Sequence, residues 1–292
     1  MSDVDRPSDA VIETISGFNA GVASTLVAHP LDVVKTRLQV SQGTGQFRLG
    51  DSFRLFQSIY RQEGGFKATY RGLGINLIGN SASWALYFLS YDQTKKLASR
   101  ISGRSSLSYG DYFWASGSAG ILTAICTNPL WVLKTRILST SASATGAYQS
   151  TMDGVRQIYR TDGIKGFYRG LVPSFFGVAH GAVQFTFYEQ LKTRRREQIH
   201  SEDLTSWDVI TLSAVSKIAA GAATYPYQVV RARLQTYDAA KTYNGLADAI
   251  YQIARYEGLW GFYRGLMPNL FRVLPSTCVT FLVYENSKLL FK

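Results

Sequence analysis

The chain is poor in the features that usually announce a fold or a chemistry. Its two cysteines, Cys126 and Cys278, cannot build a disulfide framework in 292 residues. Both lie in apolar stretches, which predicts buried free thiols. The three histidines, His29, His180 and His200, have no metal-ligand spacing, and no metal is expected. No nucleophile stands beside a base. Gly74 to Ser81 imitates the spacing of a phosphate loop but lacks the lysine that reaches the phosphates. Nothing therefore points to an enzyme. Charged residues make up 17% of the chain, below the roughly 25% of soluble domains. Yet no run of 18 apolar residues is uninterrupted, and mean hydropathy is −0.04. Hydropathy alone thus separates neither membrane from soluble. The N-terminus, with Asp3, Asp5, Arg6 and Asp9, is also unlike an acid-poor transit peptide.

What the chain does have is a repeated pattern and a positive charge. Pro30-Leu31-Asp32-Val33-Val34-Lys35-Thr36-Arg37 returns as Pro129-Leu130-Trp131-Val132-Leu133-Lys134-Thr135-Arg136 and as Pro226-Tyr227-Gln228-Val229-Val230-Arg231-Ala232-Arg233. Tyr70-Arg71-Gly72, Tyr168-Arg169-Gly170 and Tyr263-Arg264-Gly265 keep step, as do Tyr91-Asp92-x-x-Lys95, Tyr188-Glu189-x-x-Lys192 and Tyr284-Glu285-x-x-Lys288. The chain is three copies of one unit, near 10–100, 108–197 and 204–292, in a single domain spanning 1–292. The net charge of +11 suits nucleic acid, anionic lipid or anionic solutes. Basic residues are dispersed through the repeats, which argues against nucleic acid.

Each unit has the same order. An apolar stretch rich in small residues (10–40, 112–137, 206–234) carries a proline that should kink it. A polar loop follows, then a short amphipathic helix (53–59, 152–159, 246–254), then a second apolar helix (73–97, 171–194, 266–290). The expected fold is all-α, with six spanning helices and three short surface helices. Polar residues in the long stretches make sense if one face meets lipid and another a wet interior. Gly17-x-x-x-Gly21 and Ser116-x-x-x-Gly120 would allow close helix approach. The third copy reads Ser213-x-x-x-Lys217, where Lys217 either snorkels to an interface or binds solute.

The tripled motifs, over nearly the whole chain, resemble those of the mitochondrial carrier family. The resemblance implies a monomeric, pseudo-threefold carrier in the inner mitochondrial membrane. Both termini would face the intermembrane space, and cardiolipin would bind at the helix starts beside Gly72, Gly170 and Gly265. It also implies two gates. Opposite charges three apart on one helix form only a weak surface pair, but three sets at one level can pair between helices and close a pore. On the cytoplasmic side the pairs would be Asp92 with Lys192, Glu189 with Lys288 and Glu285 with Lys95. On the matrix side Asp32 would pair with Lys134. The other two acidic positions hold Trp131 and Gln228, leaving Lys35 and Arg231 without carboxylates. Gln39 and Gln235 match the family's glutamine braces, and Leu138 replaces the third. A weaker matrix gate, and an empty carrier opening more readily to the matrix, are the expectations. Glu63-Gly64-Gly65 carries one residue more than Asp162-Gly163 or Glu257-Gly258, which predicts a reshaped first turn.

Pro-Leu-Trp in the second repeat resembles the branch carrying flavins, folate, pyrimidine nucleotides and nicotinamide dinucleotides. Tyr225 to Arg233, with His180 to Phe185, is similar to the flavin and folate carriers. The implied cargo is FAD or a related flavin, as transported solute and not as cofactor, with folate, or a pyrimidine or nicotinamide nucleotide of the same branch, as the alternatives. Family spacing puts solute contacts at Gly79 and Asn80, Gly177 and Val178, and Arg272 and Val273. Arg272 could grip a pyrophosphate or carboxylate bidentately, or pair with another helix. Trp84 and Tyr87 could stack on a ring of the solute or line the wall. The rival of another class is a basic soluble helical-repeat protein that binds partner helices or nucleic acid.

Overall fold

The computed structural model describes residues 9–42, 50–102, 108–144, 146–199 and 203–290. Asp3, Asp5, Arg6 and most of the expected polar loop, 43–49, lie outside them. The first repeat contains α1 (Asp9–Val40), α2 (Asp51–Gln62), the single turn α3 (Phe66–Thr69) and α4 (Leu73–Ser102). The second contains α5 (Tyr109–Ser139), α6 (Thr151–Gly166) and α7 (Leu171–Ile199). The third contains α8 (Ser206–Ala223), α9 (Tyr225–Leu234), the turn α10 (Ala239–Thr242), α11 (Leu246–Gln252) and α12 (Leu266–Leu290).

Local chemistry sets several of these boundaries. Ser108 and Asp111 form a capping box at the start of α5, and Thr205 and Asp208 do the same for α8. Ser150 accepts from the Asp153 amide to cap α6. Pro30 and Pro129 are accommodated inside α1 and α5. The third repeat breaks outright: Thr224 leaves helical geometry at φ −96°, ψ 3°, and α9 begins with Pro226 in its first turn. The extra residue after Glu63 is absorbed by two left-handed glycines, Gly64 and Gly65, where each of the other repeats uses one, Gly163 or Gly258.

Around the ring, α1 packs on α12, α4 on α5, and α7 on α8, so each repeat closes against its neighbours. These are all-α membrane spans, although among the described residues only the segment Leu259–Leu290 is apolar enough to stand out, with hydropathy 1.4. Inward polar residues lower the mean of the rest. The buried apolar cluster gathers at the proline end of the bundle, where Val33, Val34, Val132, Leu133 and Leu138 meet Ile59 and Ile158 from the short helices. Cys126 and Cys278 are exposed, contrary to expectation. Apolar stretches around a wet interior turn outward, toward lipid.

Candidate functional site

The proline end is tied shut by a cyclic chain of arginines. Arg37 Nε donates to the Leu138 carbonyl at 3.1 Å, Arg136 Nε to Gln235 at 3.1 Å, and Arg233 Nε to Gln39 at 3.0 Å. Each repeat thus grips the next. The same guanidiniums pair with Glu63, Asp162 and Glu257 of their own repeats. Arg136 and Arg233 are almost fully buried, and buried charges persist only when paired and hydrogen-bonded. Burial opposes ionisation of Glu63, but hydrogen bonds from Arg37 and its charge outweigh this and hold the carboxyl below its ordinary value.

The residue before each proline ties its helix to the Arg-Gly turn of its own repeat. His29 Nε2 lies 3.0 Å from the Arg71 carbonyl, Asn128 Nδ2 donates to that of Arg169 at 3.2 Å, and the Tyr225 hydroxyl donates to that of Arg264 at 3.1 Å. Three different side chains do one job, so no shared letter marks it in the sequence. The glycines that follow, Gly72, Gly170 and Gly265, have φ of 75°, 71° and 83°. Their α-carbons face neighbouring side chains and backbone, with no room for a Cβ. At Gly265 an added Cβ would lie 2.9 Å from the Lys35 carbonyl.

Above this lock lies a polar cavity of ≈ 290 Å³. Lys35, Lys134, Arg231 and Arg272 line it, with Asp32 as its one carboxylate and Trp131 and Tyr227 as its aromatic faces. The expected Asp32–Lys134 pair is not formed. Asp32 instead accepts from Arg272 Nη1 at 2.6 Å and from Asn76 Nδ2 at 3.3 Å. Lys134 rests over the Trp131 ring at 4.7 Å, and Arg231 at 5.6 Å over the same ring. The indole stands where an acid was expected and answers two cations through its π face. Lys35 donates to Gln228 Oε1 at 3.0 Å and to Asn269 Oδ1 at 2.8 Å, so neutral oxygens replace its carboxylate. Of the brace positions, Gln39 donates to the Tyr225 hydroxyl and Gln235 accepts from Thr135, while Leu138 is buried in the apolar cluster.

The opposite end is unlatched. None of the three expected inter-helix pairs is formed there. Asp92 pairs with Lys96, Lys192 with Glu189 on its own helix, and Lys288 with Glu13. Lys95, Lys192 and Lys288 each sit over the tyrosine four residues earlier, at 5.9, 5.8 and 4.7 Å. Glu285 is thus without Lys95. The bundle is closed at its proline end, although two of the three expected acids are missing there. The arginine-to-carbonyl chain and the apolar cluster close that end without them.

The expected solute contacts divide. Asn80 and Arg272 line the cavity. Gly79 is buried facing Leu130 of α5, and Val178 packs against Gly120, so both belong to helix seams. Gly177 leaves room for the Tyr227 hydroxyl, which a Cβ would meet at 3.2 Å. Val273 is half-buried and does not line the cavity. Tyr87 stacks on Tyr91 at 6.1 Å, and the exposed Trp84 stacks on Phe88 at 5.7 Å. His180 Nδ1 lies 2.8 Å from Thr224 Oγ1, a plain hydrogen bond beside the helix break. Gly17 and Gly21 have open space around them and make no close approach. Asn76, Tyr227 and Asn269 escaped the sequence reading. Asn76, one helical turn before Asn80, was the most legible of the three.

Comparison with known proteins agrees with this geometry. The mitochondrial carrier protein profile matches residues 6–102, 105–198 and 202–292. The mitochondrial FAD carrier protein of Saccharomyces cerevisiae is 41% identical, over 94% of this chain and 96% of its own. A chloroplastic folate transporter of Arabidopsis thaliana is 39% identical, over 93% and 92%. A chloroplastic nicotinamide adenine dinucleotide transporter of the same plant is 38% identical, over 92% and 88%. The soluble repeat-protein reading falls with these matches: the chain is a carrier, not an enzyme, and belongs to the mitochondrial carrier family.

Proposed function

We propose that this carrier moves FAD or a related flavin across the inner mitochondrial membrane by alternating access. The observation that carries the reading is the cavity floor, where four cations face one carboxylate beside the rings of Trp131 and Tyr227. Such a floor suits an anion with a flat aromatic part. Arg272 offers a planar fork to phosphate or carboxylate, and Asn80 adds a neutral partner. Gly177 keeps space beside Tyr227, whereas Tyr87 and Trp84 stack on Tyr91 and Phe88 and do not line the cavity in this state. Gly79, Val178 and Val273 act as packing residues in the state described. The FAD carrier of yeast supports the flavin reading. The folate transporter supports the second reading, because a folate tail brings carboxylates to the same cations.

In this reading the proline end is the matrix side, gated by Asp32, Lys35, Trp131, Lys134, Gln228 and Arg231 with braces Gln39 and Gln235. The other end is the cytoplasmic gate, whose lysines leave their tyrosines to meet Asp92, Glu189 and Glu285 on neighbouring helices. Six spans put both termini on one side, the intermembrane space. The carrier works as a monomer, without nucleic acid. Cardiolipin headgroups meet the helix starts after Gly72, Gly170 and Gly265.

Purified carrier in liposomes tests the reading, with labelled FAD, FMN, riboflavin and folate offered outside. Saturable FAD uptake that is lost in Arg272→Ala, with that variant still folded, is the expected result. Saturable uptake of folate alone makes the second reading correct. Uptake of none of the four removes both.

A further inference from the structure

Lys217 lies in the middle of α8, eleven residues from Ser206, or about 16 Å along the helix. That is further from the helix start than an extended lysine reaches, so snorkelling does not account for it. Among the described residues no carboxylate lies within ion-pair distance.

Its direction follows from two neighbours, Gly221 on the same helix and Thr224 at its C-terminal cap. Thr224, seven residues on, meets His180 of α7. Gly221, four residues on, faces Asn269 of α12, whose Nδ2 would lie 3.5 Å from an added Cβ. At about 100° per residue, Thr224 is about 20° to one side of Lys217 and Gly221 about 40° to the other. Lys217 therefore points between α7 and α12, the two ring neighbours of α8, into the central space. Lys217 and Val215, on opposite faces of α8, are both exposed.

Its depth follows from the same contact. Helices α8 and α12 run in opposite directions, with Gly221 level with Asn269. Lys217 is one turn before Gly221, and Arg272 is one turn after Asn269, so both step the same way from a shared level. The two cations consequently lie at one height, within Coulombic range of each other. Arg272 commits only Nη1 to Asp32, and its side chain remains 35% exposed.

We propose that Lys217 and Arg272 form a two-cation cradle for a doubly charged anionic group of the cargo, a diphosphate or a pair of carboxylates. The proposal rests on the anionic-solute reading above and deepens it. Among the described residues Lys217 has no carboxylate partner and Arg272 has only Asp32, and an anion between the two cations relieves their repulsion. The cradle ranks cargoes by charge: FAD, with its diphosphate, gains both contacts, whereas uncharged riboflavin gains neither.

The test measures stabilisation of the detergent-purified full chain by increasing FAD, folate or riboflavin, in wild type, Lys217→Gln and Lys217→Arg. Lys217→Gln is expected to raise the half-maximal concentration of the anionic cargo about tenfold, with Lys217→Arg restoring most of the affinity. Riboflavin should behave alike in all three. FAD stabilising through its diphosphate and folate through its carboxylates are separated by which arm moves. If Lys217→Gln shows no melting transition, Lys217→Cys in a Cys126→Ser, Cys278→Ser background replaces it. A membrane-impermeant thiol reagent should then label position 217, and the anionic cargo should protect it. Unchanged anion affinity in Lys217→Gln, or labelling that ignores the cargo, overturns the cradle while leaving the carrier's cargo intact. No stabilisation of wild type by any of these solutes overturns both.

Discussion

Arg272 on α12 donates to Asp32 on α1 across 2.6 Å, so the cation best placed to meet the solute already holds the cavity's carboxylate. An arriving anion competes with Asp32 for the same guanidinium. Ground-state pairing of this kind lowers apparent affinity, because Asp32 repels an arriving anion and draws on the same guanidinium's charge.

Asp32→Asn therefore should lower the half-saturating concentration of the anionic cargo, by roughly three- to tenfold. Uptake kinetics in liposomes measure it directly. A rise instead would mean that Asp32 holds Arg272 in its receiving position.

Arg136→Ala removes the links to the Gln235 carbonyl and the Tyr148 hydroxyl and leaves Asp162 with only its longer contact to Arg169 at 3.4 Å. Breaking one side of a buried pair costs about 3–5 kcal/mol, or roughly 10 °C in a chain of this size. Arg54→Ala breaks only a loose, exposed contact to Asp51 at 3.9 Å. Its melting temperature should move by about 1 °C or less. Thermal unfolding in detergent compares the two.

Gly72→Ala meets two obstacles at once. The φ of 75° disfavours any side chain, and the new Cβ would run into Leu138 and lie 2.9 Å from Ile137 Cγ2. Together these destabilise by about 2–4 kcal/mol. Gly17→Ala, in a helix with nothing within 4 Å, should be neutral or slightly stabilising. Equal melting temperatures for the two variants would refute the packing role assigned to Gly72.

Glu63 gives the proline end an acid limit. Its folded-state pKa lies below the ordinary 4.5, because Arg37 outweighs the burial that would raise it. A depressed carboxyl contributes stability that is complete above the unfolded value and lost as pH falls through the folded one. Melting temperature should hold down to about pH 5 and then decline. Glu63→Gln should be less stable at pH 7 and show a shallower acid decline. Parallel curves for the two proteins would exclude Glu63 as a contributor.

Much of the architecture was legible because it repeats. Prolines 30, 129 and 226 marked equivalent points of the three long stretches, and Gly72, Gly170 and Gly265 placed the turns, since proline and glycine constrain the backbone locally wherever they stand. The three ways of passing a proline were not legible. Continuous α1 and α5 and broken α8–α9 differ through Thr224 and its bond to His180, forty-four residues away.

Charge pairing was read less well. Asp32 and Lys134 had the right letters at the right spacing, yet Asp32 meets Arg272, which lies 240 residues on. Cys126 and Cys278 were read as buried because apolar surroundings usually mean a protein interior. In a lipid-facing bundle that inference reverses.

The sequence by itself determined three repeated helix pairs, an excess of positive charge and the loss of two gate acids, because periodicity and residue chemistry are local properties. Only the tertiary structure decided which end closes, which carboxylate Arg272 holds and where Lys217 points. Those outcomes depend on competition among partners brought together by helix packing, and a linear order of residues cannot rank distances that exist only after the ring has closed.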